Sequence, residues 1–190
     1  MAHFTIIGTG NMANAIGGVL ADGGSSVSYI SHEQVGSAAL GDVVVLAVPH
    51  PAVDGILDAY GDRLAGKTII DITNPLNFET FDSLVVAAGS SKAAEIQARV
   101  PGARVLKAFN TNFAATLASK QVGGEPTTVL IAGDDTTAKQ VLSGALEAGG
   151  VKVIDAGALS RAHESEAIGF LQITLAAAEK ISWTGGFAIV

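Results

Sequence analysis

The sequence predicts a doubly wound α/β fold: a mainly parallel sheet with helices on both faces. Three observations carry this. Short β-branched apolar runs alternate with helix-length segments along almost all of the 190 residues. The run Asp42–Val48 is apolar at successive positions, the pattern of a strand covered on both faces. The first run, His3–Ile7, ends in Gly8-Thr9-Gly10-Asn11-Met12-Ala13, a glycine-rich turn that opens a helix.

The elements follow in order. Asn11–Ala21 reads as a helix stopped by Asp22-Gly23-Gly24. Val27–Ile30 is a second strand. About ten residues then lead to Asp42–Val48, too few for a crossover helix, so a loop or single turn is expected there. Pro51–Tyr60 is a helix with proline in its first turn, and Lys67–Ile72 is a buried strand ending at Thr73-Asn74-Pro75. Ser90–Val100 is a helix with serine near its start. Ala103–Phe109 is a strand followed by Asn110-Thr111-Asn112. Thr127–Ala132 is a strand, Asp134–Ala148 a helix closed by Gly149-Gly150, and Val151–Asp155 the last strand.

On the last helix, Glu164–Lys180, Ile168, Leu171, Leu175 and Ala178 recur at helical spacing and are expected to face the core. Phe170 and Ile173 lie between them, and this two-sided apolarity raises the expectation of a homodimer. Residues 1–156 read as a dinucleotide-binding domain, and 157–190 as a helix and tail packed on that same domain.

Composition removes several classes of function. A net charge of −7 makes the chain a poor partner for nucleic acid or an anionic membrane. No apolar run approaches the ~20 residues of a membrane span. Without cysteine there is no disulfide framework and no thiolate metal site. The histidines lack ligand spacing, so no metal is expected. No signal peptide is evident, and a cytoplasmic protein is expected.

The turn carries the binding chemistry. Gly8 permits a tight bend, Gly10 lets backbone approach a pyrophosphate, and Ala13 keeps helix and strand close. The helix N-terminus then offers unpaired N–H groups and a partial positive charge to phosphates. Gly8, Thr9, Gly10, Asn11 and Met12 are therefore candidate cofactor residues. The end of the second strand, Tyr29-Ile30-Ser31-His32-Glu33, sets the choice between NAD and NADP. Ser31 and His32 occupy the decisive places, which favours the 2′-phosphate of NADP(H). Ala47, Val48 and Pro49 would wall the nicotinamide, and Asn74 and Asn110 could bond a carboxamide or planar acceptor. Lys107 reads as a snorkelling or salt-bridged strand lysine. No catalytic acid–base constellation stands out. Hydride transfer to a flavin-like ring does not require one, because placing two rings face to face supplies most of the catalysis.

With these residues in view, the chain resembles the coenzyme F420-dependent NADP oxidoreductases. The matching features are Gly-Thr-Gly-Asn-Met at 8–12, Ser31, Ala47-Val48-Pro49, Asn74-Pro75-Leu76, Lys107-Ala108-Phe109-Asn110-Thr111, Gly133-Asp134-Asp135 and Asp155-Ala156-Gly157-x-Leu159 ahead of a helix with Glu166. The resemblance implies a Rossmann-type domain, a small C-terminal part shaping the acceptor site, and hydride exchange between NADPH and a deazaflavin. It implies Thr9, Gly10, Asn11 and Met12 on the pyrophosphate, Ser31 and His32 on the 2′-phosphate, and Val48 and Pro49 beside the nicotinamide. The chain departs from the family in having His32 and His163 where arginines are usual, and in having few cations to meet the phosphate and acidic tail of F420. FMN, FAD or a ferric-flavin system therefore stay open as acceptors. Gly-Asn-Met-Ala-x-Ala-Ile at 10–16 also looks like pyrroline-5-carboxylate reductases, an imine-reducing alternative. A non-catalytic NADP-binding redox sensor is the other.

Overall fold

The computed structural model describes residues 2–190. Its sheet has seven strands: β1 His3–Ile7, β2 Ser26–Ile30, β3 Val43–Leu46, β4 Thr68–Asp71, β5 Arg104–Ala108, β8 Thr128–Gly133 and β9 Lys152–Gly157. The order is β2-β1-β3-β4-β5-β8-β9. β2, β1, β3, β4 and β5 pair in parallel, as the expected Rossmann-type α/β fold requires. Alternation sorts the apolar residues of β3 between two cores. Val43 and Val45 enter the layer shared with α1 (Asn11–Asp22) and α5 (Thr136–Ala148). Val44 and Leu46 enter the layer under α2 (Val53–Tyr60) and α3 (Lys92–Arg99).

The short β2–β3 connection holds only a 3₁₀ turn, His32–Gln34, as its length dictated. The Arg63 guanidinium pins the loop beyond that turn, donating to Gly36 O and Ala38 O at 2.6 Å each. Pro51 belongs to a 3₁₀ turn, His50–Ala52, so the expected Pro51–Tyr60 helix begins at Val53. The expected Ser90–Val100 helix starts two residues late, because the Ser91 hydroxyl accepts from the Ala94 N–H and makes Ser91 the cap.

Two features depart from the sequence reading. β8 pairs antiparallel with β5, and β9 follows β8, so both run against the other five strands. Between β5 and β8 lie α4 (Ala114–Ser119) and a small hairpin, β6 Gln121–Val122 with β7 Glu125–Pro126. A six-residue helix rises ~9 Å, too little to carry the chain back along a strand for a parallel start.

The second departure is the last helix, α6, which spans Ala162–Ala177. The expected core stripe is on the outside: Ile168 is 40% and Leu171 52% exposed. The buried face is small and polar, formed by Ala162, Ser165, Glu166, Gly169, Gln172 and Ala176. Apolar-in is the default only when the neighbour is apolar. Here the neighbours are polar groups near the ends of β4 and β5.

Candidate functional site

The strand order places β2 and β3 on either side of β1, so the chain reverses its winding direction at β1. Ligands of such sheets sit outside the carboxyl ends of the strands at that point. Gly8 follows β1 with φ +122°, and a Cβ there would lie 2.2 Å from Ala47 O. Only glycine fits this approach between the ends of β1 and β3. Ala47 takes part through its backbone. Gly10 is the N-cap of α1, in ordinary extended backbone, and no side chain caps it. The first turn of α1 holds no acidic residue, and a Cβ on Gly10 would meet nothing within 4 Å. A twelve-residue helix thus points uncapped N–H groups at open space, which is what a pyrophosphate needs.

Two cavities flank this helix end. A groove of about 570 Å³ is lined by Gly8, Thr9, His32, Val48 and Pro49, with Ile7, Ile30, Val35 and α2 residues as its apolar wall. Ser31 immediately precedes His32, and its hydroxyl and N–H both donate to Gln34 Oε1, at 3.1 and 3.0 Å. The hydroxyl can therefore meet a ligand only as an acceptor while that turn is closed. His32 is the one ionisable side chain lining the groove.

The second cavity, about 510 Å³, brings together Asn11, Met12, Asn74 and Asn110. The predicted residues thus divide: Gly8, Thr9, His32, Val48 and Pro49 line the groove, Asn11, Met12, Asn74 and Asn110 line the cavity, and Gly10, Ser31 and Ala47 line neither. Asn74 and Asn110 hold each other. Asn110 Nδ2 donates to Asn74 Oδ1 at 3.0 Å, and Asn74 Nδ2 donates to Asn110 O at 2.7 Å. Asn110 Nδ2 also donates to Ser165 O of α6 at 2.8 Å. Gly169 makes the docking possible, since a Cβ there would lie 2.2 Å from Asn74 Oδ1.

Below them is a fully buried charge cluster. Lys107 Nζ lies 2.8 Å from Asp71 Oδ2 and 2.8 Å from Glu166 Oε1, and also donates to Thr73 O. Glu166 accepts twice from the Lys92 N–H, and Asp71 accepts from the Thr73 N–H. Burial pushes the Glu166 carboxyl up, against the pull of Lys107. Lys107 is salt-bridged, as expected, but its head does not reach the surface. It is a buried anchor that ties α6 to β4 and β5.

The sequence reading missed most of the second cavity's walls. Phe78, Phe81, Phe109, Phe113 and Trp183 line it, with Ile173 and Asn112. In a chain only 5% aromatic, four of the seven phenylalanines and the single tryptophan taken together is a concentration that spacing could not reveal. Phe109 is fully buried at φ +65°, a left-handed conformation that costs a non-glycine residue ~1 kcal/mol. It turns the chain after β5 so that Asn110 and Asn112 reach the cavity. Nor did the sequence single out the half-buried ring of His50, after Pro49. Its Nε2 is enclosed without a partner, and burial, with Lys92 nearby, lowers its pKa.

The aspartates of Gly133-Asp134-Asp135 and Asp155-Ala156-Gly157 make turns away from the site. Asp134 accepts from Leu159 N–H at 2.9 Å and Asp135 caps α5 at 2.7 Å. Among the described residues no group of three acidic or histidine side chains is placed to hold a metal. Nor is any described helix long and apolar enough to cross a membrane.

No family model matches the chain. Individual proteins do. An F420-dependent NADP reductase from Methanocaldococcus jannaschii is 29% identical over 171 residues, covering 88% of this chain and 76% of that one. The rat metalloreductase STEAP3 is 35% identical over 112 residues, 59% of this chain, which spans only 22% of that protein's length. A crystal structure of a provisional F420-dependent NADP reductase from Arthrobacter sp. FB24 superposes over the whole of both chains, with a TM-score of 0.85 at 25% identity.

Proposed function

We propose that this chain, a member of the F420-dependent NADP oxidoreductase family by sequence and fold, binds NADP(H) across the end of α1 and exchanges a hydride with a flavin-like acceptor. The observation that carries the reading is the uncapped helix N-terminus standing between a groove and an aromatic cavity.

In this reading residues 1–156 carry the dinucleotide, and 157–190 add a helix and tail that close the acceptor side. Gly8, Thr9 and Gly10 cradle the pyrophosphate through backbone N–H groups. His32 receives the 2′-phosphate, and Ser31 joins it once its hydroxyl leaves Gln34 Oε1 and is free to donate. Ala47, Val48 and Pro49 guide the nicotinamide half past β3 toward Asn11, Met12, Asn74 and Asn110. When bound, NADPH supplies a hydride from C4 of its dihydronicotinamide and leaves as NADP⁺, while the acceptor ring gains that hydride and one proton. The aromatic walls exclude water and hold a planar ring against the nicotinamide face, so positioning supplies most of the rate. No residue need hold the proton, which solvent can deliver at the open mouth. The exposed apolar row of Ile168 and Leu171 on α6 supports a homodimer.

The test is direct. NADPH is expected to bind at least tenfold tighter than NADH, and its absorbance at 340 nm to fall with F420, FMN, FAD, riboflavin or a ferric-flavin mixture. Equal affinities would remove the NADP assignment. Tight NADPH binding with no oxidation by any acceptor would leave a redox sensor.

A further inference from the structure

The reading of the second cavity as the acceptor site can be taken further, because its chemistry specifies what kind of acceptor fits. None of the residues lining it carries a charge. Its walls are the rings of Phe78, Phe81, Phe113 and Trp183. Phe113 and Trp183 lie tilted with centroids 5.0 Å apart, and Phe78 meets Phe81 edge to face at 5.8 Å. Such walls suit a flat ring, and the volume is in the ordinary range for a small-molecule pocket.

Two of the asparagines at its base, Asn110 and Asn112, are buried and present acceptors. Asn110 has committed its amide N–H groups to Asn74 Oδ1 and Ser165 O, so its Oδ1 is what remains for a ligand. Asn112, nine-tenths buried, donates from Nδ2 to Thr128 O at 3.0 Å, and its Oδ1 is buried with no partner. An unsatisfied buried acceptor costs ~1–3 kcal/mol, which a ligand N–H would recover by drawing the Asn112 amide toward the cavity. Asn110 Oδ1, with both its donors spent, and the unpartnered Asn112 Oδ1 match a ring edge that donates. They do not match a carboxylate or phosphate, which only accepts.

The rim points the same way. Phe78 and Phe81 belong to a segment that also carries Glu79 and Asp82, both exposed beside the opening. The chain as a whole is at −7. An acceptor with an anionic tail meets carboxylates at the mouth and no lining cation to receive it.

We infer that the cavity selects an uncharged planar ring with an N–H edge, and gains nothing from a phosphate or carboxylate tail on the acceptor. The inference rests on the acceptor-site reading above. The reaction is unchanged by it: hydride from NADPH C4 and one solvent proton pass to the ring, yielding NADP⁺ and the dihydro ring.

Trp183 is the only tryptophan and lines the cavity, so its fluorescence reports occupancy without turnover. The protein with NADP⁺ would be titrated with riboflavin, FMN, F420 and 3-methylriboflavin, in which the ring N–H is blocked. The expected result is riboflavin and FMN dissociation constants within threefold of each other, F420 no tighter, and 3-methylriboflavin at least tenfold weaker. Asn112→Leu should abolish the preference for riboflavin over its methylated form. The wild-type comparison stands by itself should that variant fail to fold. FMN or F420 binding ten times tighter than riboflavin would overturn the inference, as would equal binding of riboflavin and its methylated form. NADPH oxidation at 340 nm separates the two readings. Oxidation by anionic acceptors alone refutes this inference and keeps the hydride transfer. Ring binding in the expected order with no oxidation does the reverse.

Discussion

Replacing Lys107 by methionine tests the anchor under the site. The wild-type cluster holds one ammonium against two carboxylates, all three side chains fully buried. Removing one partner of a buried ion pair costs ~3–5 kcal/mol, because the other charge is left without compensation. In Lys107→Met two carboxylates are stranded. Each keeps a backbone N–H, from Thr73 and Lys92 respectively, and Glu166, already pushed up by burial, loses the cation that held it down and is pushed further toward its neutral form. That shift toward the neutral acid limits the loss to the single-partner range. Against a typical m of ~2 kcal/mol/M, a loss of ~4 kcal/mol moves the urea midpoint down by about 2 M. Glu166→Gln is the contrasting case. It leaves Lys107 and Asp71 as a matched pair and still offers an oxygen to the Lys92 N–H, so its cost should stay under ~1 kcal/mol. The pH dependence follows from the raised Glu166 pKa. Its contribution to stability is fully present below the unfolded value and is lost as pH rises through the folded one. Glu166→Gln should therefore gain on the wild type as pH rises from 5 to 8. Urea unfolding followed by circular dichroism at those two pH values measures all three proteins. A Lys107→Met midpoint within 0.5 M of the wild type would refute the reasoning (~1 kcal/mol on the same slope). So would a Glu166→Gln loss larger than that of Lys107→Met.

Two further substitutions separate fold from binding. Gly10→Asp places a carboxylate at the uncapped start of α1, where it should stabilise the fold by ~0.5 kcal/mol as an N-cap and yet raise the NADPH dissociation constant at least tenfold. Thermal melts with fluorescence titration check both, and unchanged affinity would move the pyrophosphate elsewhere. Gly169→Ala pits propensity against packing. Alanine gains ~1 kcal/mol as a helix former, but its Cβ would sit 2.2 Å from Asn74 Oδ1 and 2.8 Å from Asn110 O. Overpacking costs ~1–3 kcal/mol, with the Asn74–Asn110 bonds also at risk. A net loss of ~1–2 kcal/mol, or roughly 2–8 °C in Tm, is expected, and a raised Tm would mean that α6 does not dock through this glycine.

The strands, the glycine turn and the groove were legible because each rests on local pattern. A strand buried on both faces shows in a handful of consecutive residues, and the turn's chemistry lies within Gly8–Ala13. The aromatic cavity was not legible. Phe78 and Phe81, Phe109 and Phe113, and Trp183 come from three distant parts of the chain, and Trp183 reaches the others only through α6 and the tail behind it. The direction of β8 was equally hidden, since alternation is the same in parallel and antiparallel strands. The stripe on α6 misled because periodicity finds the apolar face, not the buried one. One signal could have corrected it. Lys107 sits in an apolar strand and Glu166 in an apolar helix, and charges in such places call for one another.

That pairing also explains why the cavity offers acceptors. α6 cannot dock by hydrophobic sliding, because its buried face carries Ser165, Glu166 and Gln172. Glu166 on Lys107 sets the register, and a step of one residue would part these charges in the interior. In that register Ser165 O takes an N–H from Asn110, Gln172 Nε2 donates to Thr111 O, and Gln172 Oε1 accepts from Phe187 in the tail. The same docking brings Ile173 to the cavity wall, and the tail beyond α6 sets Trp183 against Phe113. The donors of Asn110 are thus consumed by Asn74 and the helix, and its Oδ1 is what the docking leaves to a ligand. Selectivity for an N–H edge is then a consequence of how the last helix is fastened, and loosening that helix should relax selectivity before it abolishes binding of the dinucleotide.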